Sequence, residues 1–360
     1  MKKKLFILIP TLGTGGGEKL VVDLARTINK EKFDVTIICL FSKKNSIYES
    51  LIKNQNIKTI YMNKKLGMDF KIIFKLIKLF NAEKPDIVHT HLNVMQFVLP
   101  AIIFSRVKVR IHTVHSIAQK ESEGILRKIM YFSYKFFKVK PVAICDVVKH
   151  TIMEVYNLKE SKISCIYNGV DNKIFYINKN KEINTSTIRF ITTGTLYEVK
   201  NHKLLIDAFA EIVKINTNIN LTILGDGELR SNLEDQIRQY SLEDKIELKG
   251  IVKDVAKELN NADVYVITSN YEGLPLSVLE AMACGLPIIA TRAGGIVDIV
   301  KNNKNGILID INNKKQLINA MDILINNENL RNKMGTESYE FSKEYTIKSM
   351  TNKYEKLYVE

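Results

Sequence analysis

Short apolar runs alternate with amphipathic stretches along this sequence, and the alternation occurs twice. Between most runs of the first half lie helix-period segments such as 18–29 and 70–80, and after residue 187 the pattern restarts. Strand, helix and strand at this spacing predict right-handed crossovers and a parallel, doubly wound sheet. The predicted strands are LFILIP (5–10), DVTIICL (34–40), KTIYM (58–62), DIVHTH (86–91), VRIHTVH (109–115), PVAIC (141–145), ISCIYN (163–168), IRFITTG (188–194), LTILGDG (221–227), KIELKG (245–250), DVYVITS (263–269), PIIATRA (287–293) and GILID (306–310).

The length of the chain, 360 residues, fits two domains of ordinary size. We predict an α/β protein with two Rossmann-like domains, residues 1–172 and 173–345, and the polar, aperiodic stretch 178–187 is typical of a linker. The last segment, about 346–360, is expected to be a helix that folds back on the first domain. Two parallel sheets would face each other across a cleft at the carboxyl ends of their strands, where open α/β folds bind ligands.

Positive charge is concentrated in the first half of the chain. Residues 1–180 contain 31 Lys and Arg against 14 Asp and Glu, whereas residues 181–360 contain 22 against 25. A general drift towards lysine would affect both halves alike, so the first domain is expected to face an anionic partner. The stretches 70–80 and 125–138 interleave cations with apolar and aromatic residues, which suits an anionic membrane surface and equally suits ordinary crossover helices.

No segment is expected to cross a membrane. The start, MKKKLFILIP, resembles a signal peptide, but its apolar part is short and leads directly into a glycine-rich loop, so we interpret it as the first core strand. No stretch approaches the roughly 18 apolar residues that a spanning helix needs. We expect a cytoplasmic protein that can associate peripherally with the inner face of the membrane.

Metal chemistry has little support in the sequence. The four cysteines form no C-x-x-C pair and are expected to be buried, reduced thiols. No Asp-x-Asp occurs, and the histidines form neither H-x-x-x-H nor H-E-x-x-H. His89 and His91 are expected to point to opposite faces of the sheet, which would prevent them from sharing an ion. We predict no metal site and no cofactor.

A glycine-rich loop, GTGGGEK at 13–19, follows the first predicted strand. It lacks the Gly-Lys-Ser/Thr ending of a P-loop, and Glu18 stands where a dinucleotide fingerprint requires glycine. What remains is either a loop whose amides and positive helix end receive a phosphate or let a sugar approach the backbone, or a tight turn without a ligand.

The segment ITSNYEGLPLSVLEAM (267–282) runs from a predicted strand through a loop into a helix that begins near Pro275 or Leu276. Glu272 is expected in the loop and Glu280 in an early helical turn, with backbone donors between them where the helix dipole is positive. A carboxylate suits a sugar hydroxyl or a ribose diol, and amides suit a diphosphate. One turn can therefore supply both kinds of contact.

The stretch EGLPLSVLEAMACGLPIIAT (272–291) resembles the E-x7-E signature of the family 4 retaining glycosyltransferases, which have the GT-B fold. Other motifs resemble the same family in order and spacing over nearly the whole chain. They are GGGE (15–18), VHTH (88–91), TVH (113–115), YNGVD (167–171), VKNH (199–202), LGDGEL (224–229) and GG (294–295). The resemblance implies an acceptor-binding N-terminal domain and a C-terminal domain that binds a nucleotide-sugar donor.

The resemblance also implies roles for single residues. Glu272 would hold hydroxyls of the donor sugar, Lys200 would neutralise the diphosphate, and His115 would contact the sugar near the reacting bond. Structural alternatives stay open: a surface cation for Lys200, a satisfied structural histidine for His115 and a surface helix position for Glu280, which is otherwise implied to accept from the ribose hydroxyls. The implied donor-binding set is Gly16, Gly194, Thr195, Arg230, Gly273, Leu274 and Glu280.

The chain departs from the family pattern at Thr195. Many relatives carry Arg directly after the glycine that ends the first strand of the second domain, which here is Gly194. At about 4 Å and an effective dielectric near 20, such a cation is worth about 4 kcal/mol before desolvation is subtracted. Arg230 or helix amides could compensate, or the donor binds more weakly.

These patterns together predict an enzyme. It would transfer a hexose or N-acetylhexosamine from a nucleotide-diphosphate sugar to a lipid-linked or polysaccharide acceptor, and the family resemblance implies retention of configuration. Because fixed amides and Lys200 would stabilise the leaving diphosphate, no divalent ion is required. Two alternatives remain: a GT-B nucleotide-sugar epimerase, which the E-x7-E turn disfavours, and a nonenzymatic binder of an anionic polymer such as nucleic acid, which charge alone supports.

Overall fold

The computed structural model describes residues 2–67, 69–178 and 187–360. The chain divides into an N-terminal unit, Met1–Gly169 with Ile347–Glu360, and a C-terminal unit, Val170–Thr346. The sequence placed the boundary between residues 172 and 173. The predicted linker, 178–187, falls mostly on residues 179–186, which lie outside the described residues.

The N-terminal unit contains a seven-stranded parallel sheet with the order β3-β2-β1-β4-β5-β6-β7. Leu5 to Ile9 of β1 are buried without alternation, as expected for a central strand that is covered on both faces. The strands are β1 (Lys3–Ile9), β2 (Phe33–Cys39), β3 (Lys58–Tyr61), β4 (Ile87–His91), β5 (Val109–Val114), β6 (Lys140–Ala143) and β7 (Ser164–Cys165). The helices are α1 (Gly16–Thr27), α2 (Ile47–Asn54), α3 (Phe70–Glu83), α4 (Met95–Ile103), α5 (Ala118–Glu121), α6 (Gly124–Phe136) and α7 (Asp146–Tyr156).

The C-terminal unit contains a six-stranded parallel sheet with the order β10-β9-β8-β11-β12-β13. The strands are β8 (Ile188–Thr193), β9 (Ile219–Leu224), β10 (Ile246–Gly250), β11 (Val264–Ile267), β12 (Ile288–Thr291) and β13 (Gly306–Ile309). The helices are α8 (His202–Ile212), α9 (Arg230–Gln239), α10 (Val255–Asn261), α11 (Leu276–Ala283), α12 (Ile296–Ile299), α13 (Lys314–Asn326) and α14 (Glu328–Ser342). Its core packs α8 and α13 against the strands.

The last helix, α15 (Ile347–Val359), belongs to the N-terminal unit and packs against α1. The hydroxyls of Thr27 and Thr351 lie 2.6 Å apart, and the Asn29 amide donates to Glu355 Oε1 at 2.7 Å. Both contacts join residues more than 300 positions apart in sequence. These contacts therefore hold the final helix against the first half of the chain, where the sequence analysis expected it.

The strand pattern was predictable to within a few residues. Each of the thirteen predicted strands corresponds to one of β1–β13, although ISCIYN at 163–168 pairs only over Ser164–Cys165. Cys39, Cys145 and Cys284 are buried as expected, whereas Cys165 is only partly buried. Among the residues that the structure describes, no helix is long and apolar enough to cross a membrane.

Candidate active site

Two of the residues predicted to be catalytic form an ion pair in the C-terminal unit. Glu272 lies in the loop between β11 and α11, and Lys200 lies at the end of a short 3-10 helix, Glu198–Lys200, that follows β8. Because β8 and β11 are neighbours in the sheet, their loops leave the same edge side by side. Lys200 Nζ donates to Glu272 Oε1 at 2.6 Å, and Ser269 Oγ donates to the same oxygen at 2.7 Å. The sequence reading did not identify Ser269.

Hydrogen bonds to backbone carbonyls hold these two loops against each other. The Thr268 hydroxyl donates to the carbonyls of Lys200 at 3.1 Å and Asn201 at 3.0 Å, and the Asn270 amide donates to Val199 O at 2.8 Å. The Lys200 and Glu272 side chains are only 21% and 11% exposed. The pair is therefore fixed before any ligand arrives, which is what electrostatic stabilisation of a developing charge requires.

Gly294 supports the Glu272 turn from the loop after β12. Its φ is 54°, in the left-handed region, and a Cβ at this position would lie 1.8 Å from the Glu272 carbonyl oxygen. The next residue, Gly295, donates its amide to Gly273 O at 2.7 Å. Only a residue without a side chain allows this approach. The sequence showed the Gly-Gly pair, but not the turn that it contacts.

Gly194 and Thr195 follow β8 beside Lys200. A Cβ on Gly194 would lie 3.6 Å from Lys200 Cε, which is ordinary contact, and the Thr195 carbonyl accepts from the Tyr197 amide at 2.9 Å. The close approach is made by Gly225, whose φ is 131° and whose added Cβ would lie 1.9 Å from Gly194 O. The LGDG motif thus packs the loop after β9 against the loop after β8.

Arg230 is the first residue of α9, and its side chain donates hydrogen bonds to residues of α9 and β10. Its Nε donates to Glu234 Oε1 at 2.8 Å, and its Nη2 donates to Leu248 O at 2.9 Å. Arg230 thus pairs with a carboxylate one turn along its own helix. The idea that Arg230 compensates for Thr195 stays a prediction.

Glu280 lies in the second turn of α11 and is 8% exposed, so the alternative that it is a surface helix residue is wrong. Burial raises the pKa of Tyr265 and of the Cys284 thiol to about 12, and the Glu280 charge adds to both shifts. Leu274 is buried directly before the helix, and the cap residue Pro275 supplies no side-chain cap. The first amides of α11 therefore donate no hydrogen bond to a cap side chain.

The glycine-rich loop of the N-terminal unit carries a carboxylate at its helix end. Gly16 is the exposed first residue of α1, and the cap residue Gly15 has no side-chain cap. The Glu18 carboxylate folds back towards it, because a Cβ on Gly15 would lie 2.6 Å from Glu18 Oε2. Burial raises the pKa of Glu18, and hydrogen bonds to its own amide and to Thr11 oppose the shift. A phosphate at this helix end would meet that acid.

His115, directly after β5, lies beside this loop. A Cβ on Gly17 would be 3.4 Å from His115 Nδ1, while His115 Nε2 lies 3.0 Å from His91 Nδ1. Burial lowers the pKa of His115 to about 4, so the ring is neutral near pH 7. The structure thus brings the third residue predicted to be catalytic next to the glycine-rich loop.

The expectation that His89 and His91 point to opposite faces is wrong. Their ring centroids are 4.0 Å apart, because residues two apart on a strand share a face. The pair is nevertheless not part of a metal cluster: over residues 2–67, 69–178 and 187–360, no group of three or more His, Cys, Asp or Glu could hold an ion.

Comparisons with known proteins identify the family of this chain. The family described as "Glycosyltransferase Family 4" matches residues 14–173, and "Glycosyl transferases group 1" matches residues 174–341. A UDP-Gal:alpha-D-GlcNAc-diphosphoundecaprenol alpha-1,3-galactosyltransferase of Escherichia coli is 31% identical, covering 91% of this chain and 90% of the relative. The capsular polysaccharide biosynthesis glycosyltransferase CapM of Staphylococcus aureus is 26% identical, covering 86% and 84%.

Solved structures show the same fold. The Anabaena protein Alr3699/HepE, solved in complex with UDP and glucose, superposes with a TM-score of 0.84 at 18% identity and covers 98% of both chains. Family models, relatives and fold converge on the assignment that the motifs implied. The chain belongs to the family 4 glycosyltransferases and has the GT-B fold, with two Rossmann-like parallel-sheet units.

Proposed function

We propose that this glycosyltransferase transfers a hexose or N-acetylhexosamine from a nucleotide-diphosphate sugar to a lipid-linked or polysaccharide acceptor, with retention of configuration and without a metal ion. The names of the E. coli and S. aureus relatives, which specify a diphosphoundecaprenol acceptor and capsular polysaccharide, support the acceptor class. The UDP complex of the Anabaena protein supports a nucleotide donor.

The observation that carries the proposal is the fixed Lys200–Glu272 pair. Within the described part of the chain, the hydrogen bonds to the Glu272 side chain come from Lys200 and Ser269 and are both made at Oε1, so Oε2 can accept from a sugar hydroxyl. Lys200 Nζ places a positive charge at the edge of the sheet where α/β folds bind phosphates. The pair thus offers an acceptor for the sugar and a cation for the diphosphate within one contact.

The reaction exchanges one bond to the anomeric carbon. The bond between that carbon and the diphosphate oxygen breaks, the acceptor oxygen bonds on the same face, and the acceptor proton passes to the leaving phosphate. Negative charge grows on the diphosphate as the bond breaks, and Lys200 with the amides at the start of α11 opposes that charge. These donors stabilise the negative charge of the leaving diphosphate, which a divalent ion would otherwise stabilise.

The test combines donor binding with transfer. UDP-sugars are screened by thermal shift, since a donor that selects the folded state raises its stability, and the best donor is assayed with polyprenyl-diphosphate sugars and oligosaccharides. We expect nucleoside diphosphate release that depends on the acceptor and survives EDTA. Release without an acceptor would instead indicate epimerase chemistry, and loss of activity in EDTA with rescue by magnesium would contradict the metal-free mechanism.

The matched variants are Glu272→Ala and Glu198→Ala. Glu272→Ala removes the acceptor for the sugar hydroxyl and leaves Lys200 without its partner, so we expect kcat to fall about 100-fold or more with the fold intact. Glu198 is exposed in the adjoining 3-10 helix, and its loss should change kcat little. Transfer by Glu272→Ala near the wild-type rate would remove this residue from the site.

The N-terminal unit also carries the features of a membrane-facing surface, which we propose meets anionic lipid. Phe70 and Phe74 on α3 and Phe136 on α6 are 64%, 71% and 65% exposed, and lysines flank them. Exposed aromatics among cations suit an anionic headgroup layer. Phe74→Ser should reduce flotation with anionic vesicles, whereas Ile215→Ser, equally apolar and exposed in the C-terminal unit, should not. Equal flotation with neutral vesicles would contradict the charge argument.

A further inference from the structure

A buried chain of hydrogen bonds links α15 to the central strands of the N-terminal unit. Tyr358 OH lies 2.7 Å from His89 Nδ1, and His89 Nε2 lies 2.7 Å from Thr113 Oγ1. Thr113 Oγ1 in turn lies 3.0 Å from Tyr354 OH. All four side chains belong to fully buried residues. The two tyrosines, one helical turn apart, therefore fix both ends of the His89 contact.

The chain continues to the candidate site through ring packing. The His89 ring packs on His91 with centroids 4.0 Å apart and a tilt of 42° between the ring planes, and His91 Nδ1 lies 3.0 Å from His115 Nε2. His91 is fully buried, and its Nε2 has no hydrogen-bond partner among the described residues. We call the series Tyr354, Tyr358, Thr113, His89, His91 and His115 the ladder. Its His115 end approaches the glycine-rich loop, where a Cβ on Gly17 would lie 3.4 Å from His115 Nδ1.

The proton positions follow from the partners of each nitrogen. Burial lowers the pKa of both His91 and His115, so each ring is neutral and carries one N–H. If His115 donated to His91, then His91 would hold a buried Nε2–H with no acceptor. If His91 donates, its Nε2 is a bare acceptor instead. Orphaned buried N–H groups are rarer than under-satisfied acceptors, which favours donation by His91.

We propose that His91 is a positioning residue that holds His115 in the Nδ1–H tautomer, and that the tyrosines of α15 keep His91 in place through His89. His115 then presents a hydrogen-bond donor beside Gly17, which suits an oxygen of the substrate, either a hydroxyl or a phosphate oxygen. The tautomer assignment stands on the structure of the N-terminal unit, whereas its effect on catalysis rests on the proposed function.

The first test reads the tautomer without any substrate. The full chain, labelled with 15N-histidine, is examined by long-range 1H–15N correlation, and the His115→Gln variant assigns the signal among six histidines. We expect an Nδ1–H pattern for His115 in the wild type, a shift to Nε2–H in His91→Leu, and the wild-type pattern in His91→Asn, whose amide can donate from a similar position. An Nε2–H pattern in the wild type, or no change in His91→Leu, would overturn the proposal.

The second test asks whether His91 acts through His115. His91→Leu should lower kcat/KM about tenfold, which corresponds to about 1.4 kcal/mol, and should cause no further loss in the His115→Gln background. Tyr358→Phe should also reduce kcat/KM, and it should cause no further loss in the His115→Gln background. Tyr156→Phe removes an equally buried hydroxyl, bonded to Ser122 at 2.6 Å outside the ladder, and should not.

Additive losses for His91→Leu and His115→Gln would refute the dependence, because they would show that His91 contributes independently. The two proposals also fail in different ways. If the wild-type chain transfers no sugar from any donor, the proposed function fails, while the NMR experiment still decides the tautomer.

Discussion

The sharpest structural requirement of the candidate site lies at Gly294, which packs against the Glu272 turn. In Gly294→Ala the new Cβ would stand 1.8 Å from the Glu272 carbonyl oxygen, at a φ of 54°. Such contacts are normally longer than about 3 Å, so the Glu272 turn must move by more than about 1 Å. A left-handed alanine costs about 1–2 kcal/mol, and the overlap adds about 1–3 kcal/mol. We expect the turn that holds Glu272 to move before the rest of the unit is disturbed.

The consequence is a catalytic defect larger than the loss of stability suggests. Misplacement of a reacting group by about 1 Å can lower a rate about 100-fold, so we expect kcat/KM of Gly294→Ala to fall by about that factor. The assay is acceptor-dependent nucleoside diphosphate release, measured well below the thermal transition that circular dichroism records for each variant. Donor affinity is measured in parallel by calorimetry.

Gly295→Ala is the matched control. Gly295 has a φ of −70°, which alanine adopts readily, and alanine retains the backbone N–H that donates a hydrogen bond to Gly273 O. We expect this variant to retain most of its activity. If Gly294→Ala transfers at the wild-type rate, or if Gly295→Ala loses as much, then close support of the Glu272 turn is not what fixes the site.

Two further predictions concern charge. Thr195→Arg should tighten UDP binding about fivefold by calorimetry, because a second cation near the diphosphate is worth up to about 4 kcal/mol before desolvation, and an equal gain in the uncharged Thr195→Met would refute the electrostatic reason. Burial lowers the pKa of His112 from 6.5 to about 3 and that of His115 to about 4. Because the unfolded chain then binds more protons below pH 6.5, the free energy of unfolding should fall as the pH drops from 6.5 towards 4, by at most about 3.4 kcal/mol for His112, since 2.5 pH units count about 1.36 kcal/mol each. Urea denaturation at pH 7.5 and pH 5 measures this change, and equal stability at the two values would contradict it.

The positions of the strands and of the two carboxylates could be predicted from the sequence because they depend on local signals. Apolar runs and helix-period stretches located all thirteen strands and placed Glu272 in the loop before α11. The E-x7-E motif lies within one strand-to-helix turn, so short-range spacing was enough to predict both carboxylates. The burial of Glu280, in contrast, is a finding of the structure, since the sequence left a surface position open.

Contacts between distant segments could not be predicted in this way. Lys200 and Glu272 are 72 positions apart, and only the adjacency of β8 and β11 brings them to 2.6 Å. The support of that turn by Gly294 depends on the neighbouring loop after β12. The Glu18 carboxylate likewise lies at the helix end for which the sequence left a phosphate, a sugar or a tight turn without a ligand open.

The amino-acid sequence by itself determined the class of fold and the family, and it predicted the two acids of the candidate site, because periodicity and short motifs are properties of neighbouring residues. The tertiary structure alone decided which groups act together: the ion pair of the candidate site, the glycine beneath it, and the ladder from α15 to His115. The physical reason is that hydrogen bonds and ring contacts reach only a few ångströms. Which side chains come within that distance depends on strand order, and strand order is set by the packing of the whole unit.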